Sequence, residues 1–196
     1  MESFLTWITS RSSPRTMIIL FGLLLAFAPA FVALNRELGG LTPPDALFGY
    51  SAQQAYRTFD AESEAGRRFH LIFEVIDLFM IPVYTLLYAT TISYTARRLL
   101  GQGSRVVTWA MAIPLLAALA DYSENAVLMT LLASYPQRLD ALAAVAGVFT
   151  LTKWALVSAA CVLAILGLLG SLGKAILQQY RRRHDLRWLT ERGITR

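Results

Sequence analysis

Long apolar stretches alternate with short polar segments along this chain. The apolar stretches cover residues 17–34, 70–94, 106–135 and 142–172. A helix needs about 20 mostly apolar residues to cross a bilayer core about 30 Å thick. The pattern therefore predicts an all-α polytopic membrane protein. We expect one membrane domain, residues 1–196, in which four transmembrane helices form an antiparallel bundle.

Two polar segments also carry helical signals. In the loop 35–69, Pro43 and Pro44 break the chain, and Ser51 can cap a short helix over 52–65 with Tyr56 and Phe59 on one side. We expect this amphipathic helix to lie along the outer membrane surface. Residues 173–196 predict a basic C-terminal helix that contacts anionic lipid headgroups.

Composition and charge support a membrane location and set an orientation. Hydrophobic residues make up 56% of the chain and charged residues 16%, against about 45–50% and about 25% in soluble domains. The N-terminus, the loop after the second stretch and the tail carry twelve Lys and Arg, whereas the other two loops carry five. Both termini are therefore predicted to be cytoplasmic, in the cell (inner) membrane. The loop 35–69, with acidic residues such as Asp45 and Glu62, would face outward.

The net charge of +5 does not indicate nucleic-acid binding. Most of the positive residues lie at the ends of the apolar stretches and in the tail, where membrane topology explains them. We therefore expect the bilayer, and no nucleic acid, as the partner of these charges.

The second stretch has a polar stripe. At 100° per residue, one helix face carries His70, Glu74, Asp77, Ile81, Tyr84 and Tyr88. A charge that faces lipid at mid-membrane costs about 2.5–3.5 kcal/mol or more, so this face should point into the bundle. Within the stripe, Pro82 removes one backbone hydrogen bond and leaves the carbonyl of Leu78 available to bind another group.

The third and fourth stretches also contain polar groups at depth. Asp121, Glu124 and Asn125 share a face of the third stretch, and Lys153 lies near the middle of the fourth. We expect these groups to meet those of the second stretch in the outer-to-middle layer of the bundle. Buried like charges cannot all stay ionised without counterions. At least one carboxyl is therefore protonated, or an external cation supplies the missing charge.

The candidate site for a ligand, proton or cation follows from these positions. It consists of Asp77, Asp121, Glu124, Asn125, Lys153, Glu74 and Tyr84. No catalytic residue is identified.

Most established site types have no counterpart in the sequence. A di-iron centre needs carboxylates on four helices, but the first stretch has none and the fourth offers only Lys153. The two histidines, His70 and His184, fall on opposite sides and cannot share a haem. Gly167, Gly170 and Gly173 indicate close helix packing or a frayed helix end rather than a phosphate loop. The sequence predicts no metal site and no cofactor.

Three functions fit this pattern. The first is a small carrier or binding protein for protons, cations or an amine-bearing amphipathic molecule. The second is a non-catalytic membrane subunit or assembly factor, in which the polar network fixes helix register and another membrane protein is the partner. The third is a lipid-modifying enzyme that uses Asp121 or Glu124 as acid or base. Because no electrophile-binding motif is present, the sequence favours a non-enzymatic role.

Overall fold

The computed structural model describes residues 2–101 and 105–191, with side chains described for residues 4–101 and 106–181. It is 87% helical, and this part of the chain contains no strand. One 3-10 turn, Pro44–Ala46, accompanies the α-helices. In chain order they are α1 (Glu2–Arg11), α2 (Pro14–Leu25), α3 (Ala28–Glu37), α4 (Ala52–Ala61), α5 (Glu64–Leu100), α6 (Arg105–Ser134) and α7 (Asp140–Glu191).

Four helical segments within the described ranges are long and apolar enough to cross a membrane. They are Pro14–Glu37, Glu64–Leu100, Val106–Ser134 and Asp140–Arg181. This confirms the predicted all-helical class and the number of apolar spans. The second and fourth extend beyond the predicted ranges 70–94 and 142–172, because polar and basic turns continue the helices past their apolar parts. The predicted contact of the basic tail with lipid headgroups depends on side chains beyond residue 181, such as those of Arg182, Arg183, Arg187 and Trp188, which lie outside the described set.

The first apolar stretch is not one continuous helix. It divides into α2 and α3 at Ala26 and Phe27. Pro29 lies in the first turn of α3, and its ring is incompatible with a helical hydrogen bond to the carbonyl of Leu25. The proline that the sequence shows inside this stretch therefore explains the interruption.

The three longest helices, α5, α6 and α7, pack against one another, and α1, α2 and α3 pack against α5. Gly167 lets α7 approach α5 closely, because a Cβ at this position would lie 2.9 Å from Cβ of Thr95. At Gly170 a Cβ would lie 3.1 Å from Leu99 Cδ1. Both glycines therefore permit close helix packing, which is one of their two predicted roles, and α7 continues through them without fraying.

Helix α4 begins where the sequence indicates. Ser51 and Gln54 form a capping box at its N-terminus, and the helix ends at Ala61, before the predicted residue 65. Tyr56 and Phe59 are fully buried in a cluster with residues of α6 and α7, including Leu128. The apolar face of α4 thus contacts the protein. Its placement along a membrane surface stays a prediction.

The loop before α4 folds back along α7. Trp154 Nε1 donates to the backbone carbonyl of Asp45 at 3.0 Å. Farther along, Gly147 lies directly against the backbone of Tyr50, where any Cβ would collide with the Tyr50 carbonyl. This loop brings Asp45 beside the polar part of α7, and the placement of the loop on the outer side of the membrane stays a prediction.

Candidate functional site

Lys153 on α7 is the centre of a buried polar cluster. Its Nζ lies 2.5 Å from Glu124 Oε2 and 3.2 Å from Asp121 Oδ1. The exposed fractions of the three side chains are 9%, 0% and 5%, respectively. Glu124 and Asp121 are almost one turn apart on α6, so one ammonium group joins both carboxylates to α7.

Hydroxyl groups occupy further oxygens of these carboxylates. Tyr84 Oη donates to Asp121 Oδ2 at 2.7 Å. Thr150 Oγ1 donates to Glu124 Oε1. The cluster thus holds its two α6 carboxylates from α5 and from α7, which fixes their orientation.

A second carboxylate–amide contact extends the cluster along α5. Asn125 Nδ2 donates to Asp77 Oδ2 at 2.7 Å, and both side chains are buried. The polar stripe of α5 therefore faces the other helices, as the helical rotation predicts. The opposite face exposes apolar side chains such as Ile72 and Phe79.

The members of the cluster lie at one level. Asp77 is thirteen residues from the start of α5, Asp121 thirteen from the end of α6, and Lys153 thirteen from the start of α7. At about 1.5 Å of rise per residue, each lies about 20 Å from that helix end. The equal depth explains how groups so distant in sequence come into contact.

A cavity of 260 Å³ opens beside the cluster. Its polar lining consists of Asp45, Asp77, Tyr84, Asp121 and Lys153, and its apolar lining of Phe31, Ala46, Met80, Trp154 and Val157. Three carboxylates and one ammonium group thus line a space with aromatic and aliphatic walls. A cavity of this composition can accept an organic cation with an apolar portion.

Of the seven predicted site residues, six belong to this cluster. They are Asp77, Tyr84, Asp121, Glu124, Asn125 and Lys153. Glu74 does not join them: its Oε1 lies 3.2 Å from His70 Nε2, in a neighbouring group of buried residues. The separation arises because Glu74 is almost one turn nearer than Asp77 to the start of α5.

Sequence reasoning missed Asp45, Glu62 and the depth of His70. His70 is completely buried, and its Nδ1 lies 3.0 Å from Glu62 Oε1. The stripe on α5 already aligned His70 with Glu74. No local signal placed Asp45 or Glu62 there, because their positions depend on how the loop between α3 and α5 folds.

The carbonyl that Pro82 frees has a partner within the protein. Tyr122 Oη donates to the Leu78 carbonyl at 3.1 Å. As predicted, Pro82 cannot donate a helical hydrogen bond to the Leu78 carbonyl, which therefore accepts one from another group. The group that occupies it is a tyrosine of α6.

Tyr50, outside the apolar spans, adds a neutral hydroxyl near the cluster. Burial, followed by the negative charge of Glu124, raises the pKa of the Tyr50 phenol well above its usual value. The phenol consequently stays protonated and brings no further negative charge.

The chain was compared with protein-family models, with curated proteins and with solved structures. None of these comparisons gave a match.

Proposed function

We propose that this protein is a small integral-membrane carrier or binding protein for an ammonium-headed amphipathic molecule. The observation that carries this proposal is the composition of the 260 Å³ cavity, in which carboxylates outnumber the ammonium group and apolar walls adjoin them. Protons and small inorganic cations satisfy the charge, but they leave the apolar walls without a role.

The charge balance favours an external cation. Lys153 is already paired with Glu124 and Asp121, which leaves Asp77 and Asp45 on the cavity wall with no lysine or arginine ion pair among the described residues. A buried carboxylate is stable only when it is protonated, hydrogen-bonded or paired with a cation. A ligand with one positive charge would supply the missing counterion.

The apolar lining favours an organic ligand. Phe31 and Trp154 place aromatic rings on the wall, and Met80 and Val157 add aliphatic surface. Aromatic faces attract ammonium groups through their quadrupoles, most strongly where water is excluded. An alkylammonium head beside the carboxylates, with its chain along these side chains, uses both parts of the lining.

The proposal includes an antiparallel four-helix bundle with both termini in the cytoplasm. Two contacts support a shared end for the N-terminus and the basic segments: Arg97 donates to the Ser12 carbonyl, and Lys174 to the Arg98 carbonyl. The uneven distribution of Lys and Arg supports the assignment of this end to the cytoplasm of a cell (inner) membrane. Anionic headgroups would then contact the basic tail.

The test is uptake of octyltrimethylammonium by proteoliposomes. This probe keeps its charge at every pH, so it cannot cross the bilayer as a neutral base. We expect protein-dependent uptake that Asp121→Asn abolishes, because it removes one negative charge from the cavity wall and leaves Lys153 to offset the others. Asp140→Asn, the same change at an exposed position, should leave uptake intact. Binding without uptake would identify a binding protein, and the absence of both would refute the proposal.

A non-catalytic membrane subunit is the second candidate. The contacts Lys153–Glu124 and Asn125–Asp77 support it, because they tie three helices together without any ligand. In that case, mild detergent extraction should recover a stoichiometric membrane-protein partner, and Asp121→Asn should reduce its recovery. Extraction of the chain alone in full yield would count against this candidate.

A further inference from the structure

A second group of buried polar residues lies beside the start of α5. His70 Nδ1 is 3.0 Å from Glu62 Oε1, and His70 Nε2 is 3.2 Å from Glu74 Oε1. The side chains of all three residues are completely inaccessible to solvent. One histidine therefore lies between two carboxylates in the interior of the protein.

Asp45 completes this group from the loop before α4. One ligand atom from each of Asp45, His70 and Glu74 lies within 4.8 Å of the others. Within the described part of the chain, Asp45 Oδ1 and Glu74 Oε2 have no hydrogen-bond partner, and Glu74 Oε1 is in contact with His70 Nε2. Buried carboxylate oxygens without a partner are strongly destabilising, which indicates that a positively charged group belongs among them.

The contact between Glu62 and His70 prepares His70 as a ligand. Histidines that bind metals usually donate the other ring N–H to a carboxylate or carbonyl, which fixes the tautomer. A proton on Nδ1, donated to Glu62, leaves the lone pair of Nε2 directed to the side of Glu74. Nε2 and Glu74 Oε1 are 3.2 Å apart, and a ring nitrogen approaches a carboxylate oxygen this closely only when a proton on Nε2 or a cation lies between them.

We propose that Asp45, His70 and Glu74 bind a divalent transition-metal ion of the Zn²⁺ class, with Glu62 orienting His70. One imidazole nitrogen and two carboxylates suit Zn²⁺, Mn²⁺ or Fe²⁺ better than Mg²⁺ or Ca²⁺, which prefer ligand sets made entirely of oxygen. The sequence alone predicts no metal site. The fold changes that expectation because it carries Asp45 and Glu62 from the loop to α5.

One of the three proposed ligands, Asp45, borders two cavities. One of them is a cavity of 240 Å³ between α3 and the loop, whose other walls include Asn35, Thr42 and Phe73. Three protein ligands leave at least one coordination position for water or another molecule. Since Asp45 lines both this cavity and the 260 Å³ cavity beside Lys153, a bound metal ion would neutralise one of the carboxylates on the wall of the larger cavity.

The experiment measures Zn²⁺ binding to the purified full chain after chelator treatment, by isothermal titration calorimetry. We expect one equivalent of Zn²⁺ per chain. We expect His70→Gln and Glu74→Gln to weaken binding by more than about 100-fold, and Glu62→Gln by about 10–100-fold. The matched control is His184→Gln, which alters the other histidine of the chain and should leave the affinity unchanged.

The absorption spectrum of bound Co²⁺ reports directly on the metal ligands, so it distinguishes a changed ligand set from a loss of folding. In the wild type, Co²⁺ should give ligand-field absorption bands of a low-coordinate nitrogen- and oxygen-ligated ion, and Glu62→Gln should shift these bands. Absence of stoichiometric Zn²⁺ binding, or binding that depends on His184 and not on His70, would overturn the proposal.

One variant distinguishes failure of the proposed metal site from failure of the proposed binding of an ammonium-headed molecule. Asp121→Asn should retain Zn²⁺ binding while losing octyltrimethylammonium uptake. Loss of Zn²⁺ binding in Asp121→Asn, with circular dichroism unchanged from wild type, would contradict a metal site formed by Asp45, His70 and Glu74.

Discussion

Lys153 Nζ lies 2.5 Å from Glu124 Oε2, and the two side chains expose only 9% and 0% of their surface. The same ammonium group is 3.2 Å from Asp121. Because Lys153 is on α7 and both carboxylates are on α6, this ion pair joins the two helices at a level about 20 Å from their nearby ends. Removal of Lys153 should therefore lower stability. The excess of carboxylates over ammonium groups on the cavity wall should instead determine ligand binding.

Lys153→Met should lower the free energy of unfolding by about 3–5 kcal/mol, because it leaves two buried carboxylates without their cation. The measurement is unfolding in mixed micelles. The other lysine of the chain, Lys174, is exposed and donates to the Arg98 carbonyl, so Lys174→Met should cost at most about 1 kcal/mol. Equal effects of the two substitutions would contradict a buried ion pair at Lys153.

Asn125→Leu should destabilise the protein by about 1–3 kcal/mol, because Asp77 Oδ2 loses its buried donor. In a double-mutant cycle with Asp77→Leu, the two effects should not add, since both substitutions remove the same contact. Thr130→Ala, at an exposed hydroxyl of the same helix, serves as the control. Additive effects would show that the two side chains do not interact.

Tyr122→Phe should cost about 0.5–1.5 kcal/mol, because the carbonyl of Leu78 loses its donor. In a Pro82→Ala background the cost should be smaller, since residue 82 regains an N–H that can donate to that carbonyl. Free energies of unfolding of the two single variants and the double variant test this. An identical cost of Tyr122→Phe in both backgrounds would contradict the relationship.

Gly167→Ala should destabilise the packing of α7 on α5 by about 1–3 kcal/mol, because the new Cβ meets Thr95. Gly173→Ala is the matched control on the same helix, since no atom of the described residues lies within 4 Å of a Cβ there. This control should be neutral or stabilising by up to about 1 kcal/mol, through helix propensity. The midpoint of thermal unfolding separates the two expectations.

The number of apolar helices and the inward face of α5 followed from sequence because they depend on local periodicity. Length and hydropathy indicate a span, and rotation by 100° per residue aligns Glu74, Asp77 and Tyr84. The sequence also predicted that Asp121, Glu124 and Asn125 contact polar residues of the other spans, because their positions along the spans place them at the same depth.

The division of the polar residues into two groups did not follow from sequence. Asp45 and Glu62 belong to a loop, and a loop's path is determined by long-range packing such as Trp154 on Asp45 and Tyr50 on Gly147. The break between α2 and α3 had a visible cause in Pro29, but the hydropathy of the stretch gave no indication of it.

The central claim is that the cavity beside Asp77 and Asp121 binds an organic cation because of its charge. Its most direct test compares the affinity of the protein in lipid nanodiscs for octyltrimethylammonium with that for 2,2-dimethyldecane, the neutral carbon isostere, after correction for partitioning into empty nanodiscs. We predict that the cation binds at least about tenfold more tightly, equivalent to about 1.4 kcal/mol, and that Asp121→Asn removes the difference. Equal affinity of the wild type for the cation and the neutral isostere would contradict the account.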